Sequence, residues 1–353
     1  MNFSFNNKSI TGILTILPKN VEKFDKALKN YNFSKYQSLR LKEIMGFNEK
    51  RVVKKNICVS DLSIYGLKYL FKRKLLTKDS IDALILVTQT PDYFVPPTTS
   101  IIHHKLQLKN NLICMDINQG CAGYIIGLIQ AFLLLEQKKI NKVVLINADV
   151  LSRKVSVNDR NSHPIVGDAA SITIIEKSNS KNKILASVNV SGRNYDALMI
   201  PAGGMKYPFS NKTSIIKKDH SGNYRSMEHL VMKGDQVFNF VLNTVPKMIN
   251  DLIRYAKINK KDIDYYIFHQ PNKFMLNKLA NKIGIPLEKI PSNVVENFGN
   301  SSGASIPTAM TFNFRKNELQ DKLICFAGFG VGLTWASILL KIKKLKFNQI
   351  IEY

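Results

Sequence analysis

Short runs of β-branched and aliphatic residues alternate along this chain with longer stretches of helical periodicity. Residues 10–13 predict an opening strand, 83–88 a buried strand and 112–116 another. The stretch from about 121 to 135 is apolar nearly all the way round, which predicts a helix buried on every side. Strands over 142–147, 171–175, 265–268 and 322–326 follow, with helices over 237–256, 273–283 and 305–316. This alternation predicts an α/β fold with largely parallel sheets.

Residues 323–340 carry no charge over 18 positions, which raises the question of a membrane span. Gly328, Gly330 and Gly332 at alternate positions instead predict a strand, a tight turn and a second strand. A weak internal repeat accompanies them. Gly167-Asp168-Ala169-Ala170 leads into one strand and Gly330-Val331-Gly332-Leu333 into another. A strand, polar turn and apolar helix recur around Cys121 and around Asn300 to Pro307. The chain therefore divides into two related halves, 1–180 and 181–353.

Composition narrows the partners only slightly. The 353 residues carry 51 Lys+Arg against 26 Asp+Glu, a net charge of +25, and 45% are hydrophobic, which suits a globular chain with a large core. Nine of the basic residues are arginines; the rest are lysines scattered along the chain without zinc-finger spacing or an RNP-type aromatic pattern. Nucleic-acid binding is not predicted, because base edges and phosphates are read mainly by arginine. An acidic protein partner stays open beside a simple lysine-rich background. Cys58, Cys114, Cys121 and Cys325 show no disulfide or metal-knuckle spacing, and Met1 to Lys8 is polar without an apolar signal core. The expectation is a reduced, cytoplasmic setting without a metal.

Three residues could carry chemistry. Cys121 lies between a buried strand and a buried helix, where free N–H groups and the helix dipole favour thiolate and predict a lowered pKa. His269, in His269-Gln270-Pro271-Asn272, follows a strand at the sheet end where ligands collect. Asn300, in Gly299-Asn300-Ser301-Ser302-Gly303, could donate its carboxamide to a developing oxyanion. Taken singly, each also has an ordinary reading: an inert buried thiol, a satisfied structural histidine, a loop cap.

Taken together and in order, with the C-terminal Gly328-Phe329-Gly330-Val331-Gly332-Leu333-Thr334-Trp335, these motifs resemble β-ketoacyl-acyl-carrier-protein synthase III of the thiolase superfamily. The resemblance covers essentially the whole chain. It implies a thiolase-like five-layered αβαβα fold of two related halves, an intertwined homodimer, and a catalytic triad of Cys121, His269 and Asn300. The N-terminal half would carry the nucleophilic Cys and the C-terminal half the His and Asn. The backbone amides of Cys121 and Val331 would form the oxyanion hole.

The implied reaction transfers an acyl group from acyl-CoA or an acyl carrier protein to Cys121. Decarboxylative condensation with malonyl-carrier protein then gives a 3-oxoacyl product. CoA and phosphopantetheine thioesters are its substrates, and no cofactor is implied. The resemblance further places Arg160, Gly234, Asp235 and Phe238 at the substrate tunnel and Lys273, Lys278 and Lys282 at a carrier-protein docking face. Tyr93-Phe94-Val95-Pro96 lies in the region that gates the acyl pocket. Arg40 replaces the tryptophan of the nucleotide clamp and Ile44 its neighbouring arginine, so the donor could be CoA-borne or carrier-borne.

A pathway-specific condensing enzyme or acyltransferase of polysaccharide or secondary-metabolite synthesis is the alternative with the same triad. A hydroxymethylglutaryl-CoA synthase is disfavoured, because no Glu is placed as its base. A non-catalytic scaffold would have no need of the triad.

Overall fold

The computed structural model describes residues 1–179 and 182–353. In chain order the main elements are β1 (Asn2–Phe5), β2 (Lys8–Leu17), α1 (Lys35–Met45), α2 (Val59–Lys72), β3 (Ala83–Val87), α3 (Thr98–Leu106), β4 (Ile113–Ile117), α4 (Gly123–Leu134), β5 (Lys142–Asp149), β6 (Ala169–Lys177) and β7 (Ile184–Val190). Then follow α5 (Gly234–Ala256), β8 (Tyr265–Phe268), α6 (Lys273–Ile283), α7 (Ser305–Asn313), β9 (Leu323–Gly330), β10 (Thr334–Lys341) and β11 (Phe347–Glu352).

Two sheets stand back to back. The first has the order β11-β2-β6-β5-β3-β4 and the second β1-β7-β10-β9-β8. Helices α4 and α7 lie between the sheets, α2 and α3 cover the outer face of the first, and α5 and α6 cover that of the second. One buried apolar cluster surrounds the central helices between the sheets, and each outer helix layer packs on its sheet through a cluster of its own. The result is the expected five-layered α/β arrangement. Strands in such a sheet are covered on both faces, so β3 reads Ala-Leu-Ile-Leu-Val without alternation and all five residues are buried.

The order β2-α2-β3-α3-β4-α4-β5-β6 recurs as β7-α5-β8-α6-α7-β9-β10, short of one strand. The terminal strands cross between the halves: β1 pairs with β7 in the second sheet, and β11 with β2 in the first. The division expected between residues 180 and 181 lies outside the described residues.

The sheets are mixed rather than largely parallel. Pairs β2/β6, β5/β6, β1/β7, β7/β10 and β9/β10 are antiparallel. The cause at β9/β10 is the short glycine turn, which can join only antiparallel strands. That hairpin is the strand-turn-strand expected over 323–340, and among the described residues no helix is long and apolar enough to cross a membrane. The helix expected to reach 316 ends at Asn313.

Candidate active site

Cys121 sits two residues before α4, in a turn closed by the Gly123 N–H donating to the Gly120 carbonyl at 2.7 Å. Glycines let this turn enter the interior. A methyl on Gly123 would lie 2.5 Å from Val87, and one on Gly127 2.5 Å from Leu145, so α4 can approach the first sheet only with hydrogen at both positions. From the opposite side comes β9. Gly328 leaves room for the backbone of Cys121 and Ala122, and a methyl there would lie 2.7 Å from the Cys121 carbonyl oxygen.

The thiol behaves contrary to the helix-terminus expectation. Burial pushes its pKa up to about 11, and the nearby Asp149 carboxylate adds to the rise. Hydrogen bonds from the Val331 and Cys121 backbone N–H groups pull the other way without prevailing, because desolvating a thiolate costs more than a few donors return. Both amides thus lie near the sulfur.

His269 follows β8 directly, and its N–H donates to the Ala327 carbonyl of β9 at 2.7 Å. The ring is held by Nδ1 against the Ser305 hydroxyl at 2.8 Å and by the edge of Phe329, with ring centres 5.7 Å apart. Burial drives its pKa down to about 3, partly offset by the Ser302 backbone, so the imidazole is neutral at physiological pH.

Asn300 is anchored to the segment before β6: its N–H donates to the Ile165 carbonyl at 2.7 Å, and its carbonyl accepts from Gly167 at 3.1 Å. The Ser302 N–H donates to Oδ1 at 2.9 Å. With its oxygen thus engaged, the carboxamide presents Nδ2 as a donor.

Cys121, His269, Asn300 and Val331 all line one cavity of about 430 Å³, whose remaining wall is largely apolar, with Leu198, Met232, Val237, Val241, Met275 and Phe329. A neutral imidazole and a carboxamide aimed into an apolar space beside a thiol can stabilise a developing enolate and receive an acyl group.

The four residues expected at the substrate tunnel do not line this cavity. Arg160 instead places its guanidinium 3.3 Å from the centre of the Phe33 ring, while its neighbours Asn161 and Ser162 reach the cavity. Gly234 and Asp235 are exposed at the start of α5, and Phe238 stacks on Phe274 with ring centres 5.8 Å apart. The residues of this helix that do reach the cavity are Val237 and Val241, four apart on one face.

Lys273, Lys278 and Lys282 are exposed on α6, beside cavity-lining Asn272 and Met275. Lys278 Nζ lies 5.4 Å over Phe274, Lys282 Nζ donates to Asn243 at 3.3 Å, and Lys273 is 3.9 Å from Glu296. Residues that sequence reasoning missed include Phe33, Ser302, Ser305 and Asp149. None belongs to a patterned motif of its own; Ser302 and Ser305 lie inside the Asn300 turn and read there as small residues. Among the described residues no group of three or more His, Cys, Asp or Glu could hold a metal ion.

The family profile described as "3-Oxoacyl-[acyl-carrier-protein (ACP)] synthase III" matches residues 115–192, and its C-terminal counterpart matches 253–342. A Campylobacter jejuni protein, provisionally named 3-oxoacyl-(acyl-carrier-protein) synthase 3, is 32% identical over 100% of this chain and 99% of its own length. A β-ketoacyl-(acyl-carrier-protein) synthase III of Fusobacterium nucleatum is 30% identical over 94% of this chain and 98% of its own. The crystal structure of a 3-oxoacyl-(acyl-carrier-protein) synthase from Burkholderia xenovorans superposes with a TM-score of 0.92 at 31% identity, covering 100% of this chain and 99% of that one.

Proposed function

Since the chain belongs to the 3-oxoacyl-(acyl-carrier-protein) synthase III family of condensing acyltransferases, we infer that its cavity joins an acyl group to a malonyl unit in two half-reactions at Cys121. The observation that carries this reading is the convergence of Cys121, His269, Asn300 and the Val331 amide on one apolar cavity.

In the first half-reaction the Cys121 sulfur attacks the carbonyl carbon of an acyl thioester, and the Cys121 and Val331 N–H groups hold the oxyanion. The tetrahedral intermediate collapses, and the proton given up by the Cys121 thiol leaves with the donor thiol, leaving acyl-Cys121. In the second, a malonyl thioester enters the same cavity. His269 and Asn300 Nδ2 donate to its thioester oxygen while carbon dioxide departs, and the enolate carbon attacks acyl-Cys121. A 3-oxoacyl thioester leaves, and the expelled Cys121 thiolate takes up a proton from solvent to restore the thiol. Both donors act as neutral groups, and the apolar wall strengthens each hydrogen bond. The chemistry so written draws on no metal or redox group.

The acidic acyl carrier protein is the partner that the exposed lysines of α6 suit. Phe33 occupies one face of Arg160, which favours a carrier-borne acyl donor over CoA. Exposed Tyr93, Phe94 and Val95, a run of three apolar side chains, supports pairing with a second copy. A thiol nucleophile also suits the reduced cytoplasm. Incubation with acyl and malonyl carrier thioesters tests the reading: a 3-oxoacyl carrier product identified by mass supports it, and recovery of the malonyl carrier unchanged overturns it.

A further inference from the structure

On one side of Cys121 the cavity wall is polar, although neither half-reaction calls for a polar group there. Gln89 follows β3 and Asn118 follows β4, and both line the cavity. The backbone at Gln89 is fixed: its N–H donates to Asp149 Oδ1 at 2.8 Å, and the preceding Thr88 N–H donates to the Ile117 carbonyl at 3.1 Å. From there the side chain lies over Gly120, the residue before the nucleophile. A methyl on Gly120 would stand 2.2 Å from Gln89 Oε1, 2.8 Å from Cδ and 3.3 Å from Nε2, so the missing side chain makes room for the amide. Among the described residues neither the Gln89 nor the Asn118 carboxamide has a hydrogen-bond partner. Binding cavities set few polar groups into an apolar wall, and those few orient the ligand and select it.

Topology decides which substrate meets this wall. Asn300 is bridged to Val166 ahead of β6, His269 follows β8, and α7 packs on both of these strands. In the first sheet β3 lies beyond β5 from β6, with β4 at the edge, and α4 packs on β3 and β5. Cys121, just ahead of α4, therefore has His269 and Asn300 to one side and Gln89 and Asn118 to the other. The malonyl thioester must occupy the side of His269 and Asn300 while the acyl group is still on the sulfur. The acyl group accordingly extends towards Gln89.

We propose that the acyl group accepted by Cys121 carries a hydroxyl, and that the Gln89 carboxamide recognises it. The proposal rests on the two half-reactions above and names the class of their first substrate, a hydroxyacyl thioester. A carboxamide offers an acceptor oxygen and two N–H donors, and a hydroxyl both donates and accepts, so the two groups are complementary. A plain alkyl chain at this place would cover the amide and leave it unpaired, at a cost. Because Gly120 adjoins Cys121, the amide reaches only the first carbons beyond the thioester carbonyl, which suits a hydroxyl on the third carbon. The transfer itself is unchanged. The Cys121 sulfur–carbon bond forms, the donor's carbon–sulfur bond breaks, the thiol proton leaves with the donor thiol, and the hydroxyl stays intact. Gln89 is then a specificity-determining residue that touches the substrate but not its reacting atoms.

The test follows acylation of Cys121 in the full-length protein by intact mass, using two phosphopantetheine thioesters of matched shape. These are 3-hydroxybutyryl and 3-methylbutyryl, which exchange a hydroxyl for a methyl. The wild type should take the 3-hydroxybutyryl group about 10-fold faster, the factor expected of one neutral hydrogen bond. Gln89→Met keeps the length of the side chain and removes both polar atoms, and it should abolish or reverse that preference. Equal rates in the wild type, or a faster rate with 3-methylbutyryl, overturn the proposal. So does an undiminished preference in Gln89→Met, or in Gln89→Ala should the first variant fail to fold. In each of these outcomes Cys121 is acylated and the nucleophile reading stands. Failure of both thioesters to label a thiol that iodoacetamide alkylates overturns that reading and the proposal with it.

Discussion

Gly330 of β9 stands so close to Cys121 that a methyl group on its Cα would lie 2.7 Å from the sulfur. The C-terminal half of the chain therefore completes the nucleophile's surroundings, and Gly330→Ala should push Sγ off the line of the Val331 N–H. We expect acylation to fall by about 100-fold, the typical loss for one oxyanion donor, with an unchanged circular dichroism spectrum. Acylation at the wild-type rate would show that the contact can be relieved without consequence.

In the proposed mechanism His269 and Asn300 act in the second half-reaction and not in the first. His269→Ala and Asn300→Ala should each still accept an acyl group on Cys121, while release of carbon dioxide from malonyl thioester falls by about 100- to 1000-fold. Equal losses in the two steps would contradict this division of labour.

Stability should decline as the solution is acidified below neutrality. His163 and His269 both have pKa values lowered by burial from 6.5 to about 3, so between these limits the unfolded chain takes up protons that the folded one refuses. Asp149, raised from 3.8 to about 6, acts with the opposite sign between those values, but it is one group with a smaller shift against two. The melting temperature should therefore fall between pH of about 6.5 and about 5, and a level or rising profile there would contradict the assignment of two buried neutral imidazoles.

The lysines of α6 give an ionic-strength signature. Turnover of carrier-borne substrate should slow as salt rises, and Lys273→Glu, Lys278→Glu and Lys282→Glu together should raise its KM without changing alkylation of Cys121. A KM indifferent to both would make the three lysines an ordinary solvated face.

Legibility in the sequence followed physical locality. The buried strand 83–88, the all-round apolar helix after Cys121 and the glycine hairpin of β9 and β10 carry their patterns within one segment, and all three form as expected. Strand direction did not follow from alternation, because β6 and β10 reverse direction through connections that hydrophobic period does not encode. Cys121, His269 and Asn300, which line one cavity, stood out in the sequence because each sits in a patterned turn. The thiol's basicity was not: it depends on burial by β9, some 200 residues downstream. Phe33 over Arg160 is likewise a contact between distant segments, whose residues look ordinary where they stand.

The most direct test of the account is the intact mass of the protein after exposure to acyl-CoA or acyl carrier protein, followed by peptide mapping. The account predicts one acyl adduct on Cys121 in the wild type, absent from Cys121→Ala and discharged on adding malonyl thioester. No adduct on the wild type, or an equal adduct on Cys121→Ala, would contradict it.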